Sequence, residues 1–115
     1  MSKLVDLTSL TEMLYGDENY IQEFSEAAII SFTEFNEHYN QFLIARDEDN
    51  FRRAGHKIKP VAQMLGLQLI IDEYEFAKTL LWEDKSDSDL QKSVDKMNSI
   101  NSKVLEELKN IPNSE

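Results

Sequence analysis

The feature that most constrains the fold is one long stripe of apolar residues. From Ile21 to Phe42, apolar side chains recur every three or four residues, and no Gly or Pro stands between Asp17 and Ala54. A stripe with this period lies along one face of an α-helix, which has to be buried against another element. The sequence therefore predicts a helix that is capped by Asp17 and runs to about Arg46.

Three later stretches have the same helical period. The polar residues at 47–50 provide a cap and an acidic first turn, which predicts a helix over 47–65. Apolar residues spaced by three and four predict another helix over 67–82. A capping box formed by Ser88 and Gln91 predicts the start of the last helix, which Pro112 closes.

The predicted elements favour an all-α fold. Thr8 or Ser9 caps a short N-terminal helix that Gly16 ends, and no segment has the alternating pattern of a strand. Four long amphipathic helices with short connections favour an antiparallel four-helix bundle, with the short additional helix covering one end. The length of 115 residues suits one domain, which we expect to span residues 1–115.

Composition excludes several classes of protein. The net charge of −10 makes general binding to nucleic acid or to an anionic membrane unfavourable, since both need a cationic surface. No apolar run approaches the length of a membrane span, the N-terminus lacks the apolar core of a signal peptide, and there is no cysteine for a disulfide. We therefore expect a soluble protein of the cytoplasm.

One histidine interrupts the apolar pattern of the helix over 47–65. At about 100° per residue, His56 points away from the side that carries Phe51 and Ile58, so its imidazole is expected to face solvent. Of the twelve Lys and Arg residues, five lie within residues 46–59. A neutral imidazole among cations is suited to receive an anion, and phosphoryl is the anion most naturally made covalent on its nitrogen. The pattern therefore suggests a phosphocarrier.

These residues resemble a known family. The string His56-Lys57-Ile58-Lys59, followed by Gly66 and Leu67 and preceded by a long helix that opens at Gly16-Asp17-Glu18, is similar to the histidine-containing phosphotransfer (HPt) domains of two-component phosphorelays. The resemblance implies that Nε2 of His56 takes a phosphoryl group from the phosphoaspartate of a response-regulator receiver domain, or returns it. It also implies that Lys59 stabilises the phosphoryl charge.

The resemblance carries further expectations about the site. HPt domains are carriers and not enzymes, and the receiver supplies the Mg²⁺, so neither a cofactor nor a metal site is expected here. The implied partners are receiver domains and a hybrid histidine kinase, and we expect a monomer. The residues expected to contact a partner are Arg52, Arg53, Lys57, Pro60, Gln63, Gly66 and Lys78.

Three of these residues depart from the family pattern. Pro60 stands where the family usually has Gly, and Gln63 stands where a small residue is common, so the surface beside the imidazole is bulkier. Lys78 stands where relatives often have a Gln or Glu that holds the non-reacting imidazole nitrogen. A lysine cannot accept that hydrogen bond.

Two other functions remain open at this stage. The bulk of Pro60 and Gln63 motivates an HPt-like binding module that sequesters a receiver domain without phosphotransfer. An enzyme that uses His56 as a general base is disfavoured, because no carboxylate, Ser or Cys is spaced to complete a site. The other histidine, His38, lies one turn after Glu34, but the sequence has no recognisable metal-ligand spacing.

Overall fold

A computed structural model describes residues 4–6, 8, 11–12 and 15–110. These residues form four long helices, α1 (Glu18–Ile44), α2 (Glu48–Met64), α3 (Gln68–Trp82) and α4 (Asp87–Asn110), and the described part of the chain contains no strand. The prediction of an all-helical protein is confirmed. The predicted N-terminal helix lies largely outside the described residues. Pro112, which is predicted to close the last helix, lies outside them too.

The helix starts follow the side-chain caps that the sequence predicts, with one exception. Asp17 accepts hydrogen bonds from two amides of α1, and Asp47 accepts one from α2. The predicted cap at Ser88 is wrong, because α4 already begins at Asp87 and it is Ser86 Oγ that accepts from the Asp89 amide, at 3.2 Å. Starting the helix earlier places two aspartates in its first turn, where the helix dipole stabilises negative charge.

The helices α1, α2 and α3 end in the same type of turn. After each helix one residue has positive φ, namely Arg46 (56°), Gly66 (68°) and Asp84 (52°). In each case the following amide donates back to a carbonyl five residues earlier, as the bond from Leu67 N to Ala62 O at 2.8 Å does for α2. Only one of these three positions has the glycine that the left-handed conformation favours.

Neighbouring helices pack in a closed order, α1 against α2 and α4, and α3 against α2 and α4. A row of buried aromatic rings crosses three of them: Tyr39 of α1 lies 5.1 Å from Phe51 of α2, which lies 5.2 Å from Tyr74 of α3. No helix within the described residues has the length and apolarity needed to cross a membrane. The ring contacts fix how α2 and α3 face each other, which sets the surroundings of His56.

Contacts also join the connections between helices. Arg46, after α1, donates to the carboxylates of Asp84 and Asp87 at 3.2 and 3.0 Å and to the Lys85 carbonyl at 2.6 Å. Near the end of α4, the backbone amides of residues 4 and 5 donate to the Glu107 carboxylate. The amide of residue 6 donates to the Leu65 carbonyl at the end of α2, at 2.8 Å. Two separate groups of contacts therefore hold the helix ends.

The turn at Gly66 makes a direct test of this fold. We expect Gly66→Ala to lower the free energy of unfolding by about 1–2 kcal/mol, because a side chain is disfavoured at positive φ and the new Cβ would lie 3.0 Å from Cβ of Asp6. Gly66→Asn is the control and should cost less, since Asn tolerates this conformation. Urea unfolding measures both, and an equal loss for the two variants would contradict the explanation.

Candidate functional site

His56 lies in the middle of α2, on its outer face. The residues of α2 that are buried are Phe51, Ala54, Gly55, Ile58 and Ala62. His56 is exposed, as the helical period predicts, and no described residue forms a hydrogen bond or an ion pair with its imidazole. The imidazole is therefore exposed to solvent with neither nitrogen bound by the described part of the chain.

Two arginines lie one turn before His56 on the same helix. Residues three and four apart are neighbours on a helix surface, which places Arg52 and Arg53 next to the imidazole. Both are exposed, and neither guanidinium forms an ion pair with a described residue. Lys57 differs from them, because its ammonium lies 3.0 Å from the Glu34 carboxylate of α1 and holds the pKa of that carboxyl below its usual value. The arginines are thus the cations that are free to meet an anion.

A second group of cations lies one turn after His56, between α2 and α3. Lys59 Nζ is 2.5 Å from Glu75 Oε1, and Lys78 Nζ is 2.9 Å from Glu75 Oε2, so one carboxylate binds two ammonium groups. Their hydrogen bonds to Glu75 hold the pKa of this carboxyl below its usual value. The structure therefore brings Lys78 together with Lys59, although the two residues lie on different helices.

The ring of Tyr74 forms the floor beneath these lysines. It is 2% exposed, and the ammonium groups of Lys59 and Lys78 lie 5.6 and 5.2 Å from its centroid, within the range of cation–π attraction. Its hydroxyl donates to the Arg52 carbonyl at 3.2 Å. Burial, assisted by the nearby charge of Glu75, raises the pKa of Tyr74 to about 12, so the hydroxyl stays protonated.

The close approach of Tyr74 to α2 depends on Gly55. A Cβ at this position would lie 1.9 Å from Cζ of Tyr74, so no larger residue can occupy it without moving the ring. Gly55 directly precedes His56, and the glycine therefore lets the floor of the site reach the backbone of the histidine helix. The sequence carried one signal for this, a glycine inside a strongly periodic helix, which often marks close packing.

The remaining predicted contact residues line the rest of α2. Pro60 and Gln63 are exposed, and α2 continues past Pro60 to Met64. Gly66 lies beyond the helix in the turn to α3, where its amide donates to the Gln63 carbonyl at 3.2 Å. The predicted partner-contacting residues on α2 thus share the helix of the imidazole, and Lys78 joins them from α3.

Two acidic residues of α3 are not among the predicted site residues. Glu75 belongs to the lysine pair, and Glu73 is 5% exposed, where it accepts from Ser93 Oγ at 2.6 Å and pairs with Lys96 at 3.0 Å. Glu75 has one local signal, since Lys78 follows it by three residues on the same helix, but nothing in the sequence indicates its contact with Lys59. Nothing in the spacing marks Glu73 as buried, because charged residues recur along every helix.

His38 does not form a second site. Its ring packs on Phe42 with centroids 5.2 Å apart, and its Nδ1 lies 4.0 Å from the Glu34 carboxylate that already binds Lys57. Among the residues that the structure describes, no three His, Cys, Asp or Glu side chains are grouped as a metal site requires.

The chain was compared with protein-family models, with curated proteins and with solved structures, and it matches none of them.

The contact between Gly55 and Tyr74 predicts a large cost for a small substitution. We expect Gly55→Ala to lower the free energy of unfolding by about 1–3 kcal/mol, the usual cost of forcing an extra group into a packed contact. In a Tyr74→Leu background the same substitution should cost clearly less, because the aromatic ring is gone. A urea-denaturation cycle of the four proteins measures the difference. Equal costs in both backgrounds would show that the ring is not the obstacle.

Proposed function

We propose that this protein is a histidine phosphotransfer protein, which carries a phosphoryl group on His56 to or from response-regulator receiver domains in a multistep phosphorelay. The observation that carries the proposal is the exposed imidazole of His56, which has guanidinium groups one turn before it and a pair of lysines one turn after it. In the described part of the chain, neither the imidazole nor the guanidinium groups have an ion-pair partner. A phosphoryl group adds a charge of about −2, and this face supplies the compensating cations.

The chemistry uses groups of the site and of its partner, with solvent water as the final proton acceptor. The lone pair of Nε2 attacks the phosphorus of the receiver's phosphoaspartate, and the bond between phosphorus and the aspartyl oxygen breaks as the carboxylate leaves with the electron pair. The proton on Nδ1 stays on the ring until water takes it. Lys59 offsets the charge of the phosphoryl group, while the receiver supplies the Mg²⁺. The protein is in this sense a co-substrate of receiver domains and not an enzyme.

The proposal includes an antiparallel arrangement of the four helices within one domain. Arg46, at the end of α1, contacts residues between α3 and α4, which supports placing the ends of α1 and α3 beside the starts of α2 and α4. The segment at 4–6 contacts both Leu65 after α2 and Glu107 near the end of α4, which supports placing those ends together. Neighbouring helices would then run in opposite directions.

We also propose a location, an oligomeric state and partners for this protein. We place it in the cytoplasm as a monomer, with a hybrid histidine kinase and receiver domains as partners. The exposed residues Arg52, Arg53, Lys57, Pro60 and Gln63 would contact the receiver, together with Gly66 and Lys78.

The direct test is transfer of phosphate from a phosphorylated receiver domain. We expect an acid-labile, alkali-stable label on the wild-type protein and none on His56→Gln. Helicity and thermal stability should be unchanged, because the exposed imidazole has no hydrogen-bond partner among the residues that the structure describes. His38→Gln is the matched control and should accept label normally. A label retained by His56→Gln would refute the assignment, whereas receiver binding without any label on the wild-type protein would instead favour the sequestering module.

Docking should depend on the cations around the imidazole. If they steer an acidic receiver, added salt should slow association more than it speeds dissociation. We expect Arg52→Ala and Lys78→Ala to slow association and to flatten its salt dependence, whereas Lys103→Ala, an exposed residue of α4, should do neither. Stopped-flow association over a salt series measures this. Association rates that change neither with salt nor with Arg52→Ala or Lys78→Ala would rule out electrostatic steering by this face.

A further inference from the structure

An acidic residue lies at the centre of the basic group beside His56. Glu75 binds Lys59 with one carboxylate oxygen and Lys78 with the other, at 2.5 and 2.9 Å. The three groups together carry one net positive charge, although two ammonium groups are present. In the unphosphorylated protein, half of the positive charge of this pair is already neutralised within the molecule.

The Lys59 ammonium is held between α2 and α3, one helical turn after His56. Lys59 is three residues after His56, so the Cβ atoms of the two residues are about 5–6 Å apart on the helix surface. The side chains of Lys59 and Lys78 are only 30% and 19% exposed, and both ammonium groups lie over the Tyr74 ring. Glu75, on α3, therefore draws toward its own helix the ammonium of a lysine that belongs to the histidine helix.

We propose that Glu75 is a positioning residue that acts through Lys59. It holds the Lys59 ammonium while His56 is unmodified, and it competes with the phosphoryl group for that ammonium once His56 is phosphorylated. This inference rests on the proposed function and adds to it a residue that sets how long the phosphohistidine lasts. No bond to phosphorus is made or broken by Glu75, since only ion pairs change.

The charges and the exposure decide the direction of this competition. The phosphoryl group carries about −2 and the carboxylate −1, so the ammonium gains by moving to phosphate. The Glu75 side chain is 42% exposed, and an ion pair this open to water is weak enough to exchange. Once Lys59 has left it, the Glu75 carboxylate nevertheless attracts the Lys59 ammonium away from the phosphoryl group. Removing its charge should therefore leave the phosphoryl group better compensated.

The test measures the lifetime of phosphohistidine after labelling of the full chain with phosphoramidate, a small phosphoryl donor. We expect Glu75→Gln to lengthen the half-life of the label by about two- to fivefold, the range that an exposed ion pair provides. In a Lys59→Ala background the same substitution should have no effect. Asp72→Asn is the matched control, because it removes a charge from the same helix at a residue that contacts Gln68 and neither lysine.

A second readout separates this role from a structural one. In the wild-type protein the carboxyl carbon resonance of Glu75 should move on phosphorylation as Lys59 leaves it, and this movement should be lost in Lys59→Ala. An unchanged or shortened half-life in Glu75→Gln, a gain that persists without Lys59, or a static Glu75 resonance would each overturn the inference. If the wild-type protein takes no label from phosphoramidate or from a receiver, it is the proposed function that fails.

Discussion

The site depends on the packing of one aromatic ring against a helix backbone. Because Gly55 has no side chain, Tyr74 reaches the backbone of α2 beside the histidine and its hydroxyl meets the Arg52 carbonyl. On its core side, the Tyr74 ring contacts Phe51, which in turn contacts Tyr39, so that this row of rings connects α3 to α1 through α2. Contacts in the core thus fix the position of the Tyr74 ring. The ring in turn determines where the ammonium groups of Lys59 and Lys78 lie at the surface.

Electrostatics at the surface follow from that packing. Since Tyr74 lies between two helices, the lysines from both sides gather over one ring and share Glu75. Within the described residues, the arginines one turn before the imidazole form no such ion pair. Opposite sides of His56 therefore differ: one presents free guanidinium groups that suit long-range attraction of a partner, and the other presents ammonium groups that are already held in place.

Much of the fold was predictable because local patterns determine it. The four long helices follow from the spacing of apolar residues, and the same period places His56 on the outer face. The start of α4 was misplaced because two serines two residues apart can each cap a helix, and the choice depends on the charges that follow. The contact of Glu75 with Lys59 was not predictable, since it depends on the rotation of α3 against α2. The contact of Glu75 with Lys78 is different, because three residues on one helix separate the two and local spacing makes them neighbours.

The left-handed residues at the ends of α1 and α3 have a consequence for how the molecule opens. Arg46 and Asp84 each occupy a backbone conformation that costs energy for a side chain, and their side chains bind one another across the two connections. Each turn is held by the other, because Arg46 also bonds the backbone at Lys85. Opening of one connection therefore removes hydrogen-bond partners of the other, whereas the turn that follows the histidine helix takes no part in these contacts.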